Sequence, residues 1–270
     1  MESNHDNGIW DEHKWESHIN EIEQKNNQWR VFLENTIGDD NPRWYRILKQ
    51  SDSEQDALDT YIEEELLFDE AYFPDDDDDW DLDDEDDDDI LFEDDEDFEN
   101  YSDIDDLDDD DYDDDLLDET MGFIEEGEEW KLLSLDFATT NYGTIENLNI
   151  YVQAHELGIL VLKMAEEYNA LHLNTMYNQF VSNVLQISTK IAAGYSLGFE
   201  IDMLGGNIAY NKKALDAANS ALTSLQSIKN KAIFPDMESY FLLHRNLSKL
   251  RNETGVYLQE LRQRFREEME

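Results

Sequence analysis

One acidic segment constrains this sequence more than any other feature. Residues 75–119 contain 31 Asp or Glu in 45 positions, and no Lys or Arg occurs between Lys49 and Lys131. Aspartate is a poor helix former and neighbouring like charges repel, so a segment of this composition buries too little apolar surface to fold. We therefore expect residues 74–129 to be an Asp-rich disordered region outside any packed core.

The charge of the chain is divided between two unlike halves. The first 130 residues hold 6 Lys or Arg and 54 Asp or Glu, whereas the remaining residues hold 13 and 15. The formal net charge of −50 therefore belongs almost entirely to the N-terminal half. An imbalance of this kind bears on partners and solubility rather than on fold.

Residues 1–73 are predicted to be an N-terminal helical segment. Its first helix has positions at alternating steps of four and three, the spacing of a helix that packs on another helix. These contact positions are Trp15, Ile19, Ile22, Asn26, Trp29 and Leu33. A basic and aromatic patch follows at residues 43–49, and a second helix is expected from Ser53 to Tyr72, before Pro74.

Residues 130–270 are predicted to form an antiparallel four-helix bundle, because four amphipathic segments follow one another with short connections. The first helix is expected from Thr144 to Tyr168, and the second after an N-cap at Asn174. Gly205-Gly206 is interpreted as the turn into a third helix that opens near Asn207, and Pro235-Asp236 as the start of the fourth. The fourth keeps the heptad spacing of a coiled coil. With no strand pattern in this half, the predicted fold class is all-α.

The second and third helices resemble one bacterial protein family. Residues 187–195 read Ile-Ser-Thr-Lys-Ile-Ala-Ala-Gly-Tyr and precede an Ala- and Leu-rich helix at residues 214–225. This is similar to the four-helix-bundle proteins encoded in intervening sequences of ribosomal RNA genes, and to the accessory proteins of diversity-generating retroelements. Lys190 stands where that family has Asn, and Ala193 where it has Glu. Over residues 146–265 the resemblance implies a bundle that acts as a homo-oligomeric adaptor without a catalytic site.

Residue patterns for metal, phosphate and cofactor binding are weak. The C-terminal helices lack the Glu-x-x-His spacing of di-iron bundles, and His155 is interpreted as a hydrogen-bonded histidine at the edge of the helix contact. The acidic segment has no Gly at which an EF-hand loop could turn around Ca²⁺. Leu204-Gly205-Gly206-Asn207 lacks the Lys of a P-loop. We expect no enzyme, no cofactor and no specific metal site.

The leading functional hypothesis is an interaction protein whose acidic segment binds a basic partner. Charge attracts such a partner, and interspersed apolar side chains add anchors that are less sensitive to salt. Nucleic-acid-binding proteins are the largest class of basic cytosolic partners. The predicted partner-binding residues are Trp80, Ile90, Phe92, Phe98, Tyr101, Ile104, Leu107 and Tyr112.

Two alternatives remain open from the sequence. The first is a homo-oligomeric scaffold, built through the wide apolar face of the second bundle helix and the long heptad of the fourth, with the acidic segment serving only for solubility. In the second, residues 43–49 and the C-terminal arginines hold the acidic segment within the molecule. We do not expect direct nucleic-acid binding, since the bundle is near neutral. With no apolar stretch that spans a membrane, no cysteine and no secretory signal, a cytoplasmic location is expected.

Overall fold

Helices account for nearly all of the described chain, as the sequence predicts. The computed structural model describes residues 9–37, 41–70, 143–168, 173–231 and 236–270, and these contain no β-strand. The α-helices are α1 (Glu12–Ile37), α2 (Arg43–Gln50), α3 (Glu54–Glu70), α4 (Asn149–Glu167), α5 (Thr175–Ser196), α6 (Ile201–Asn230) and α7 (Met237–Met269). A short 3₁₀ turn, Ile145–Asn147, precedes α4. The all-α fold class is therefore confirmed for the described residues.

Side-chain caps fix the start of α5 and of α7. The side-chain oxygen of Asn174 accepts hydrogen bonds from the backbone N–H groups of Met176 and Tyr177, at 3.0 and 3.2 Å. The carboxylate of Asp236 accepts one from the backbone N–H of Ser239 at 2.7 Å. Each cap satisfies N–H groups that have no partner inside the helix. The helix start predicted at Asn174 is confirmed.

Helix α5 lies at the centre of the packing. It contacts α4 and α6, and α3 covers it from a third side. Phe180, Val184, Leu185 and Ile187 are fully buried as a result. The wide apolar face that the sequence predicts on this helix is therefore covered within the same chain.

Helix α1 packs across α6 and also contacts α3. Ile19 and Ile22 are buried in this contact, as is the polar Asn26, whose side-chain amide donates to the carbonyl oxygen of Phe68 at 3.1 Å. The predicted inclusion of Trp29 among the contact positions is wrong, because this side chain is 54% exposed. The reason is that Arg30, its neighbour, points toward α3 and binds Glu65 there.

The glycine pair at 205–206 lies inside α6 and is not the turn predicted from the sequence. Helix α6 begins at Ile201 and not near Asn207. A Cβ atom on Gly206 would lie 2.6 Å from Leu197 Cδ1 and 3.0 Å from Trp15 Cδ2. Two glycines weaken a helix, and here they provide the flat surface on which the Trp15 indole lies.

The basic and aromatic patch forms helix α2, which buries Trp44, Tyr45, Ile47 and Leu48. Helix α2 packs on α3, and α3 packs on α4 and α5. All described residues consequently belong to one compact unit. We refer to this set of seven helices as the helical unit.

Candidate functional site

The eight predicted partner-binding residues lie outside the described residues. They are Trp80, Ile90, Phe92, Phe98, Tyr101, Ile104, Leu107 and Tyr112. The structure does describe the two points at which the helical unit is joined to the part of the chain that contains them. These points are the end of α3 at Glu70 and the start of the next described stretch at Gly143.

Helices α3 and α4 run in opposite directions. As residue numbers increase along α2 and α3, the numbers of the residues that they contact in α4 decrease. Lys49 binds Glu166 at 3.1 Å, Leu58 packs against Gly158, and Asp59 binds His155 at 2.9 Å. The C-terminal end of α3 therefore lies toward the N-terminal end of α4.

Gly143 is held at the same end of the helical unit. The hydroxyl of Tyr195, in the last turn of α5, donates a hydrogen bond to the carbonyl oxygen of Gly143. Glu65 of α3 accepts one from the Gln186 amide of α5 at 3.0 Å. With about 1.5 Å of rise per helical residue, Glu70 lies within roughly 10 Å of Gly143 along the direction of α5. Glu70 and Gly143, the described residues that flank residues 71–142 in the sequence, thus lie at one end of the helical unit.

A buried ionic cluster fixes α3 near this end. The carboxylate of Glu65 is 2% exposed, and it accepts hydrogen bonds from Arg30 at 2.7 Å and from Arg43. The Gln186 amide that binds Glu65 also donates to the Tyr61 hydroxyl at 3.1 Å. Helices α1, α2, α3 and α5 meet at this one side chain.

The charges around Glu65 shift the pKa values of the cluster. Burial raises the pKa of Glu65, but the guanidinium groups of Arg30 and Arg43 outweigh it and hold the pKa below its usual value. Burial, reinforced by the Glu65 carboxylate, raises the pKa of Tyr61 to about 12. Glu65 is therefore ionised and Tyr61 is neutral at physiological pH.

A second cluster joins α1 to α5 and α6. Lys190 is 6% exposed, and its ammonium group lies 3.0 Å from Glu23 and over the ring of Tyr210. Lys213 binds the other Glu23 oxygen at 2.7 Å. Burial raises the pKa of Glu23, but Lys190 and Lys213 lower it further than burial raises it. At the position where the resembling family has Asn, this chain thus has a lysine that binds its own N-terminal helix.

A polar cavity of about 230 Å³ separates the two clusters. Its lining consists of Glu23, Asn26, Asn27, Arg30, Glu65, Gln186 and Lys190. Each carboxylate oxygen of Glu23 and Glu65 has a cationic partner, so the charges that line the cavity are largely neutralised. This arrangement stabilises the contact of α1 with α3 and α5, and it offers no reactive group.

Many cations of the helical unit bind carboxylates of the same unit. At least nine of the 18 described Lys and Arg side chains do so. These pairs are Arg30–Glu65, Arg43–Glu64, Lys49–Glu166, Lys190–Glu23, Lys212–Glu16, Lys213–Glu23, Lys249–Glu253, Arg262–Glu12 and Arg264–Glu268. Arg43, Lys49, Arg262 and Arg264 are among the residues proposed from the sequence to hold the acidic segment. These four side chains instead bind carboxylates of the helical unit.

His155 forms the hydrogen bond expected of it, with the buried carboxylate of Asp59 at 2.9 Å. Within the described part of the chain, no group of three or more His, Asp or Glu side chains could hold a metal ion.

One enzyme-like pattern was missed in the sequence. Residues 194–198 read Gly-Tyr-Ser-Leu-Gly, which matches the Gly-x-Ser-x-Gly motif of α/β-hydrolases. That motif acts only on a sharp turn between a strand and a helix, where the serine is exposed for attack. Here Ser196 ends helix α5, and its hydroxyl donates to the carbonyl oxygen of Ala193 at 2.9 Å. The match has no catalytic geometry.

Glu65 and Arg30 were not singled out from the sequence, and Lys190 was noted only as a departure from the pattern of the resembling family. Glu65 lies in the run Glu63-Glu64-Glu65, and only the contact with two other helices distinguishes it from its neighbours. No sequence signal available in a single chain could have identified it.

Comparisons with known protein families, curated proteins and solved structures find no match to this chain. No described helix combines the length and the apolar character that crossing a membrane requires.

Proposed function

We propose that this chain is a non-enzymatic interaction protein in which the helical unit presents the acidic segment, residues 74–129, to a basic partner protein. The apolar side chains Trp80, Ile90, Phe92, Phe98, Tyr101, Ile104, Leu107 and Tyr112 are the proposed anchors. The 31 carboxylates within residues 75–119 provide the long-range attraction.

One observation supports this proposal above the others. Cations of the helical unit are bound to its own carboxylates, including Arg43, Lys49, Arg262 and Arg264. The acidic segment has no Lys or Arg of its own with which to pair. Both observations support a partner from outside the chain as the source of compensating charge. The same observation argues against the alternative in which these basic residues retain the segment.

The acidic segment is joined to the helical unit on both sides in the sequence, and the described residues that flank it lie close together. Residues 71–142 connect Glu70 with Gly143, and both lie at one end of the helical unit. The 31 carboxylates of residues 75–119 lie between these two points in the sequence. A basic protein surface is the complement, and nucleic-acid-binding proteins are the leading class of such partners. Direct binding of nucleic acid is not proposed, because phosphates and carboxylates repel each other.

We also propose that α4–α7 form an antiparallel four-helix bundle, as expected from the sequence. Each of these helices contacts the next along the chain, and α4 also contacts α7. Side-chain pairs between them support opposite directions. These are Asn183–Ser224, Gln226–Tyr240 and Asn149–Glu253. A cytoplasmic location remains part of the proposal.

A homo-oligomeric scaffold with a solubilising acidic tail is the second candidate. The sequence features that suggest it are the wide apolar face of α5 and the long heptad of α7, and α3 covers the first of these within the same chain. Oligomerisation through that face is consequently not favoured, and a scaffold role would need another surface.

A capture experiment tests the leading proposal. The full chain is compared with a full chain in which residues 75–119 are shuffled at constant composition. The proposal expects the native order to retain specific basic proteins at about 0.3 M salt, where the Debye length is shorter than 8 Å. The shuffled chain should lose them under the same conditions. Equal capture by both chains would reduce the acidic segment to a solubilising tail.

A matched variant separates charge from anchoring. Replacing the eight anchor residues with serine leaves every carboxylate in place. At low salt, the captured basic protein should bind this variant and the native chain with similar affinity. At 0.3 M salt, it should bind the variant at least about tenfold more weakly than the native chain, because only the apolar contacts resist screening. An unchanged salt dependence would contradict the assignment of these residues as anchors.

A further inference from the structure

The polar cavity between α1, α3 and α5 is large enough for a small solute. Its volume is about 230 Å³, whereas one water molecule needs only about 10–15 Å³. All seven residues that line it are polar or charged, and the structure describes each of them. One of them, Asn27 of α1, is exposed, so the cavity is open to solvent on that side. A small polar molecule can therefore enter without unfolding a helix.

The carboxylates of the cavity are already bound to cations of the fold. Each oxygen of Glu23 and each oxygen of Glu65 lies within 3.0 Å of a lysine or arginine nitrogen. A metal ion or an organic cation would have to displace one of these side chains. The lining consequently does not favour a cationic ligand.

One N–H donor in the lining lacks an acceptor. The guanidinium of Arg30 donates to Glu65 through Nη2 at 2.7 Å, but its Nε–H is buried and finds no acceptor among the described residues. An unpaired buried donor is costly, and the cost is larger when the donor is charged. The N–H groups of arginine form a fixed fork that matches carboxylate and phosphate oxygens. Arg30 therefore favours an anionic ligand.

The ion pairs around the cavity contain more cations than carboxylates. The cations are Arg30, Arg43, Lys190 and Lys213, and the carboxylates are Glu23, Glu64 and Glu65. Four positive and three negative groups give this cluster a formal charge of +1, although the chain as a whole carries −50. An anion at this position is attracted by its immediate surroundings, where short distances and low polarisability strengthen the interaction.

We propose that this cavity binds a small oxyanion, a phosphate or a carboxylate group, which accepts a hydrogen bond from Arg30 Nε–H. Lys190, which is 6% exposed and also lines the cavity, supplies a second positive charge from α5. A bound oxyanion joins α1 to α5 through these two side chains. Since both cations already have carboxylate partners, the dissociation constant is expected to be on the order of 1 mM.

Titration of the full chain with inorganic phosphate and, separately, with acetate tests the proposal. The ¹H–¹⁵N resonances of Arg30 Nε–H and of the Gln186 side-chain amide report on the cavity. At constant ionic strength, at least one of the two anions should shift both resonances to saturation, whereas chloride should not. Saturation by phosphate assigns a phosphate group to the site, and saturation by acetate assigns a carboxylate group. Shifts that are absent, or linear and equal in all three salts, would overturn the proposal and assign the cavity to water only.

Asn27 and Gln28 provide a matched pair of variants on α1. Both are exposed amides, and of the two only Asn27 lines the cavity. Asn27→Asp places a negative charge at the cavity and should weaken binding of the saturating anion by at least about tenfold. Gln28→Glu adds the same charge to the same helix and should change the dissociation constant by less than about twofold. Equal weakening by both variants would mean that general repulsion controls the shifts, and it would overturn the assignment. Circular dichroism verifies that both variants are folded.

Discussion

Trp15 of α1 lies directly against Gly205 of α6. A Cβ atom on Gly205 would be 2.8 Å from Cδ1 of the Trp15 indole, and it would also overlap the carbonyl oxygen of Trp10. Since real Cβ atoms do not approach so closely, α1 can occupy this position only because residue 205 has no side chain. This contact joins the N-terminal segment to the C-terminal helices.

The glycine contact predicts opposite effects for two Gly→Ala substitutions in helices. Gly205→Ala should destabilise the protein by roughly 1–3 kcal/mol through overpacking against the Trp15 indole and the backbone of Trp10 and Asp11, just before α1. Gly255→Ala, in α7, has no atom within 4 Å of the added methyl group and should stabilise by up to about 1 kcal/mol. Urea unfolding measures both. Stabilisation by both alanines would show that α1 does not pack on Gly205.

Two adjacent glutamates should differ strongly in their contribution to stability. Glu65→Gln removes the buried charge that compensates Arg30 and Arg43, and it should cost roughly 3 kcal/mol. Glu64→Gln removes a partner of Arg43 whose side chain is 43% exposed, and should cost less than about 1 kcal/mol. The free energies of unfolding of the two variants, each compared with that of the wild type, test this prediction. Similar values would mean that Glu65 is not buried among cations.

The lowered pKa of Glu65 makes its contribution dependent on pH. Because the folded-state pKa lies below the unfolded value of about 4.3, the ionised carboxylate stabilises the fold fully above that value. This contribution is lost as the pH falls through the folded-state pKa. The difference in stability between the wild type and Glu65→Gln should therefore be constant from about pH 6 to pH 7 and shrink in acid. A difference that grows in acid would contradict the assigned direction.

Fluorescence and circular dichroism should report a single unfolding transition. Trp15 and Trp44 are buried in contacts of the N-terminal helices, while most of the helical signal comes from α4–α7. Since these helices belong to one compact unit, cooperative unfolding should make the two urea curves coincide. An earlier fluorescence transition would show that α1–α3 detach independently.

Deletion of residues 75–119 should leave the helical unit folded. It shortens the connection between α3 and Gly143 from 72 to 27 residues, and both attachment points lie at one end. Lower loop-closure entropy should add about 1 kcal/mol of stability, and the loss of charge repulsion should add to it. Equilibrium unfolding compares this variant with the full chain. Loss of helical signal on deletion would mean that the acidic segment is needed for the fold.

The periodicity of the sequence predicted most of the helices correctly, and it failed at identifiable residues. Ile19, Ile22 and Asn26 are buried as their spacing predicts, because a helix with that spacing has one continuous contact face. Gly205-Gly206 was misread as a turn, because glycine in a helix and glycine in a turn are identical in a single sequence. Only the position of Trp15 across the helix explains why glycine is present there.

The candidate site was predictable only in part. The charge and the apolar residues of the acidic segment are evident from composition, and they carry the proposed function. The location of the flanking residues Glu70 and Gly143 at one end of the helical unit, where Tyr195 binds Gly143, was not predictable. It depends on α3 packing antiparallel to α4, a contact between residues nearly one hundred positions apart.

The sequence by itself determined the all-helical class, the helix caps at Asn174 and Asp236, and the concentration of negative charge in one segment. These properties depend on neighbouring residues, through helical spacing, local hydrogen bonds and like-charge repulsion. Only the tertiary structure decided that α1–α3 join α4–α7 in one unit, with Glu65 and Lys190 as buried ionic contacts. A buried and an exposed charge are the same residue in the sequence, and the energy that distinguishes them arises from groups distant along the chain.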